Sequence, residues 1–171
     1  MLQTVDWLKQ ILGEPAPAQI IAFDRLFFLK RLGAYRWDLW GVAHLICGYC
    51  SDDSFDDFRR WLISQGLQTF ERVLQNPEAR IDLLESQGQT ALIKANPAAC
   101  VQCESLPYAS YDAYKALAGE DMPSLDIDSI IDIFPRKPAG KCWNEDDLPT
   151  TFPSIAKMFC HLITNKTGDD A

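Results

Sequence analysis

No apolar run in this chain approaches the roughly 20 residues that a membrane-crossing helix requires, which excludes a helical span. Nor is a cleavable leader expected from these residues. Met1–Asp6 has no basic stretch, and Asp6 and Lys9 interrupt any apolar core there. A cytoplasmic protein is therefore expected. Basic residues are few: Lys and Arg number 16 against 24 Asp and Glu, for a formal charge of −8 and a pI of about 4.7. Sequence-independent grip on nucleic acid draws on Lys and Arg against phosphate, so no nucleic-acid role is expected, whereas a basic partner fits the charge. There is no phosphate-cradling glycine loop, dinucleotide fingerprint, nucleophile elbow or His-Glu-x-x-His pattern. Internal repeats, low-complexity tracts, linkers and strand pairs are absent too.

What is present belongs to a globular chain. Of 171 residues, 47% are hydrophobic and 11% aromatic. A domain of this size buries roughly 70% of the surface its unfolded form exposes, so it folds without help from a metal or disulfide. One domain over 1–171 is expected, with a polar tail at 164–171. The six cysteines are expected mostly as reduced thiols, as in a cytosolic chain.

Helical spacing dominates. Val5, Leu8 and Leu12 recur on one face near the start, before Gly13 and Pro15. A helix over about Ala18–Leu32 is apolar on more than one side. Tyr35–Cys47 carries Trp37, Leu39, Trp40, Val42, Leu45 and Ile46 around nearly its whole circumference, as a central buried helix does. Gly48 breaks it. Further helices are expected from Leu67, after Asn76-Pro77-Glu78, over Gln89–Asn96, around Tyr108–Tyr114, at Asp126–Phe134 and from Thr151, where Phe152, Ile155, Phe159 and Leu162 face inward. Arg136–Leu148 is expected as an ordered loop anchored by Trp143.

The best-marked segment is Ser51–Gly66. Ser51 is a helix cap. Asp52, Asp53, Asp56 and Asp57 crowd the positive end of the helix dipole, and Gly66 supplies the left-handed stop. Phe55, Phe58 and Leu62 define its buried face. With Tyr35–Cys47 it forms a short-linked helical hairpin. The expectation is an all-α single compact domain of about seven to nine helices around that hairpin.

The stretches Tyr35–Ala43 and Gly48–Gly66, with Ser-Asp-Asp, Phe-Arg-Arg-Trp-Leu-Ile and Gln-Gly in order, resemble the signature of a bacterial family, domain of unknown function 4240 (DUF4240). Asn76-Pro77, Tyr111–Tyr114, Gly119–Pro123 and Gly140–Asp146 are similar to its later parts, so the resemblance spans about 18–162. Where that family has Gly-Gly-Cys, this chain has Gly48-Tyr49-Cys50. The resemblance implies an all-helical domain and carries no activity or catalytic residue with it.

Four constellations have chemistry in them. The Asp52, Asp53, Asp56, Asp57 cluster has the oxygen ligands of a hard cation or of an acidic docking patch. It also reads as helix-start charge, with Asp56 pairing Arg59 or Arg60. Cys47, Cys50, Cys100 and Cys103 form two C-x-x-C pairs, the grammar of a zinc site. They lie much farther apart than the about 15–20 residues of the strong pattern, so packing cysteines are the competing reading. Cys50 precedes a helix start, a position that lowers a thiol pKa. Asp38 and His44, on one helix but on different sides, fit a local polar network better than a triad with Cys50. Arg59, Arg60 and Trp61 have the composition of a binding hot spot or of a charge-neutralised core.

The reading that results is a non-enzymatic protein-binding or regulatory module. Its docking surface is Tyr49, Ser51, Asp52, Asp53, Asp56, Arg59 and Trp61, its partner an unidentified basic protein, with no cofactor. The alternative is a redox or metal-dependent enzyme using Cys50 and the nearby carboxylates.

Overall fold

Regular structure is entirely helical among the residues that the computed structural model describes: 9, 10, 12, 15–96, 106, 108–124 and 135–164. These contain nine α-helices: α1 (Pro17–Gly33), α2 (Trp37–Cys47), α3 (Asp52–Ser64), α4 (Leu67–Gln75), α5 (Arg80–Ser86), α6 (Gln89–Ala95), α7 (Tyr108–Ala118), α8 (Leu148–Thr151) and α9 (Pro153–Thr164). Single 3-10 turns at Pro77–Ala79 and Glu145–Asp147 lead into α5 and α8. The all-α class is as expected. The helix expected at 126–134 and most of the one at 2–12 lie outside the described residues.

The core forms around α2. Apolar side chains cover that helix on all sides, so it has no face to give to water. Leu39, Val42, Ala43, Leu45 and Ile46 are all essentially inaccessible. Gly48, at φ +69°, ends it in the left-handed conformation that only glycine adopts freely. Helix α3 then presents Phe55, Phe58 and Leu62 to the same core, each at 1% exposure or less. Trp40 stacks on Phe55 with centroids 5.0 Å apart, and its indole N–H donates to the Cys50 carbonyl at 2.9 Å. The two helices share a core as expected, yet the most extensive neighbour of α2 is α9. Gly41 lets α8 come close to α2 as well: a Cβ there would lie 2.7 Å from Leu148 Cδ2.

Residues 135–143 strap across the start of α2. The Ala139 N–H donates to the Tyr35 carbonyl (2.8 Å), and the Trp37 N–H to the Ala139 carbonyl (2.9 Å). The Trp143 indole donates to the Trp37 carbonyl at 2.7 Å, the anchor that the sequence suggests. Phe152, Ile155 and Phe159 face inward as expected. A smaller cluster of Ile20, Ala113, Tyr114 and Met122 joins α1 to α7.

Candidate functional site

The start of α3 is where charge concentrates. The Ser54 N–H donates to Ser51 Oγ at 3.2 Å, which caps the helix. Asp52 and Asp53 occupy its first turn and are exposed. Neither makes an ion pair among the described residues. One turn on, Asp56 is held by three guanidinium groups. Arg59 Nη2 donates to it at 2.6 Å, Arg31 Nη1 approaches to 3.5 Å, and Arg60 completes the set. Arg60 also donates to Asp57 at 2.7 Å. The local pairing expected of Asp56 is thus present, with an added partner from α1.

Arg59 is the pivot of this arrangement. It is 8% exposed, donates from Nη1 to the Arg31 carbonyl at 3.0 Å, and lies over the rings of Tyr35 (4.8 Å) and Phe55 (5.1 Å). Burial lowers its pKa to about 10, against the opposing pull of Asp56, so it remains a cation at neutral pH.

These groups border a hollow of about 450 Å³. Asp52, Asp53, Asp56 and Arg59 enter it from α3, Arg31 and Tyr35 from the end of α1 and the following turn, and Arg136 from the C-terminal strap. The seven docking candidates therefore separate. Four line this hollow. Ser51 is occupied as a cap. Tyr49 is 61% exposed and packs edge-on against His44, with ring centroids 5.8 Å apart. Trp61 is 2% exposed and cannot meet a partner: it completes the core, beneath Arg80. Arg31, Tyr35 and Arg136 were not legible as site residues, because segments remote in sequence bring them here.

Asp38 and His44 do not meet. Asp38 accepts from both Nε and Nη2 of Arg36. His44 is buried, its Nε2 3.0 Å from Glu145 Oε1 and its Nδ1 without a partner among the described residues. A larger hollow of about 590 Å³ opens beside the Arg36–Asp38 pair, but that pair already neutralises itself.

The cysteines depart from expectation. Cys47 is engaged in a disulfide, so its sulfur is not a thiolate zinc ligand in this state, and the expectation of reduced thiols fails for it. Cys100 and Cys103 lie outside the described residues. Among the described residues no three His, Cys, Asp or Glu side chains gather as metal ligands. Cys50 is a free thiol, 4% exposed. Burial pushes its pKa up from 9.0 to about 12, with the Arg80 guanidinium pulling it down and Asp57 adding to the rise. This is opposite in direction to the lowering that its place before a helix suggested.

Arg80 itself was unmarked in the sequence. It is completely buried between Phe58 (4.0 Å to the ring centroid) and Trp61 (3.9 Å), and among the described residues none of its three guanidinium nitrogens has a hydrogen-bond partner. The available signal was its place four residues before buried Leu84, at a core position of α5.

The model of the family described as a protein of unknown function (DUF4240) matches residues 2–116. The chain belongs to the DUF4240 family. The match includes all of α1 to α7 except its last two residues, and with them the α3 signature. It ends before the later stretches, 119–123 and 140–146, that also resemble the family. No curated protein and no solved structure matches the chain. No described helix is long and apolar enough to cross a membrane.

Proposed function

We propose that this DUF4240 chain is a non-enzymatic cytoplasmic docking module that receives a basic segment of a protein partner at the start of α3. The observation that carries this reading is the division of labour among three carboxylates on one hollow. Asp56 is fully engaged by Arg31, Arg59 and Arg60 and fixes the floor. Asp52 and Asp53 stand exposed at the same hollow with no ion pair among the described residues. Carboxylates held on a helix, with their helix fixed by a cap and by Asp56, meet an incoming Lys or Arg at little ordering cost. The helix dipole already offsets part of their mutual repulsion.

A fluorescent hexa-arginine peptide is the direct probe. Binding is expected at low salt and weakens as salt rises. Asp52→Asn with Asp53→Asn is expected to weaken it about five-fold, which corresponds to two exposed ion pairs of about 0.5 kcal/mol each. The control is Glu120→Gln with Asp146→Asn, an equal charge change at exposed sites elsewhere. Equal weakening by both pairs of substitutions would mean that only net charge is being sensed, and the proposal would fail.

A further inference from the structure

The Cys47–Cys50 turn holds an unused piece of chemistry. Cys47 closes α2 in a disulfide, and Cys50, free, stands just ahead of the α3 cap. Gly48 turns the chain between them, and both side chains pack on the same apolar cluster. Next to Cys50 lies Arg80, wholly buried and without a hydrogen-bond acceptor among the described residues; burial lowers the pKa of its guanidinium well below the usual value, and the Cys50 sulfur opposes that fall. A guanidinium in a low-dielectric setting keeps its charge best with an anion beside it, and the anion gains equally from the guanidinium. The group placed there that can become that anion is the Cys50 thiol. We propose that Cys50 and the Cys47 disulfide form an intramolecular thiol–disulfide exchange pair, with Arg80 supporting the attacking Cys50 thiolate.

The step balances without an external oxidant. Cys50 releases its proton, and its thiolate attacks Cys47 Sγ. A Cys47–Cys50 bond forms as the original bond to Cys47 breaks. The displaced sulfur leaves as a thiolate and takes up a proton. One disulfide and one thiol stand on each side. In a cytoplasmic protein this has a rationale, because disulfides that occur there are usually transient or redox-sensing. Arg80 on α5 and Asp57 on α3 are the charges acting on the Cys50 sulfur, with opposite effects. Burial keeps the thiol protonated near neutrality, so the exchange is slow at pH 7. It rises about tenfold per pH unit as the thiolate fraction grows.

The test is peptide mapping of the full, non-reduced chain after timed incubation at pH 7 and pH 9, with acid quench and alkylation and with helix content followed by circular dichroism. A Cys47–Cys50 cross-link is expected, forming about 100-fold faster at pH 9 in the folded protein. Arg80→Met is expected to slow it at least tenfold, and Arg80→Lys, which keeps the charge, to slow it far less. A free Cys47 thiol in the untreated chain, no Cys47–Cys50 linkage at pH 9, or linkage only between molecules would overturn the proposal. So would a folded Arg80→Met chain that exchanges at the wild-type rate. Should that variant not fold, a wild-type rate unchanged between pH 7 and 9 is the overturning result.

Discussion

Arg59 and Arg80 are both arginines withdrawn from water, and the fold compensates them differently. Each lies over two aromatic rings. Arg59 also has a carboxylate, Asp56, and a backbone carbonyl as acceptors. Arg80 has rings alone among the described residues. The first is a surface charge drawn inward along a network that still reaches the hollow. The second is an interior guanidinium that burial pulls toward its neutral form, with no polar partner among the described residues to replace its hydration. Desolvating a guanidinium costs several kcal/mol, and two close ring faces return about 2 kcal/mol each. Arg59 is therefore expected to depend on its partner, and Arg80 to be replaceable by an apolar side chain of similar length.

Removing Asp56 breaks this comparison most sharply. Asp56→Ala leaves Arg59 buried without its anion and is expected to cost about 3 kcal/mol, the range for breaking a buried pair. Urea unfolding at pH 7 reads it. A loss below about 1 kcal/mol would mean that the Arg31 carbonyl and the Tyr35 and Phe55 rings suffice by themselves.

The next effect is a pH dependence on the Arg80 side. Below about pH 9 the Cys50 thiol is neutral in both folded and unfolded chains. Above it the unfolded chain ionises, while the folded one holds its proton up to about 12. Stability is therefore lost as pH rises through this window, by about 1.4 kcal/mol per pH unit. The difference between wild type and Cys50→Ala isolates the effect, with Cys47 kept reduced by a phosphine in both so that exchange does not intrude. Parallel stability curves from pH 8 to 10.5 would show that the thiol is not buried as described.

Arg80→Met completes the pair. It keeps the length of the chain between Phe58 and Trp61 and removes the charge. The expected stability lies within about 1 kcal/mol of wild type, or above it, as when apolar residues replace buried ions. A loss of 3 kcal/mol or more would assign the rings a larger share than Coulombic reasoning allows.

The contrast also marks what the sequence could reveal. Helix α3 was legible in full because its signals are local: Ser51, the acids after it, Phe55, Phe58 and Leu62 at helical spacing, and Gly66. The Asp56–Arg59 and Asp56–Arg60 pairs were legible for the same reason, one turn apart. Arg31, Tyr35 and Arg136 were not, since tertiary packing alone brings the end of α1 and the C-terminal strap to the hollow. Trp61 was ambiguous because hot-spot and core residues share a composition. Arg80 was hidden by chemistry: an arginine just after Asn-Pro-Glu reads as exposed helix-start charge. Its spacing to Leu84 says otherwise only once α5 is known to pack on Phe58 and Trp61.

The smallest stability effect separates the aspartates of one cluster from each other. Asp52 and Asp53 touch no guanidinium among the described residues, and their contribution to folding is the helix dipole alone. That is worth about 0.5 kcal/mol apiece at an exposed first turn. Asp52→Asn with Asp53→Asn should then lower unfolding stability by about 1 kcal/mol at most, while Asp56→Ala costs about three times as much. Their effect on a basic peptide should run the other way, because Asp56 already has its charges satisfied. If the double Asn variant is as unstable as Asp56→Ala, the outer carboxylates are structural members of the arginine network. The hollow would then have no uncommitted acid to offer a partner. If stability stays near wild type while peptide binding falls, structure and docking are carried by different members of the same acidic run, one helical turn apart.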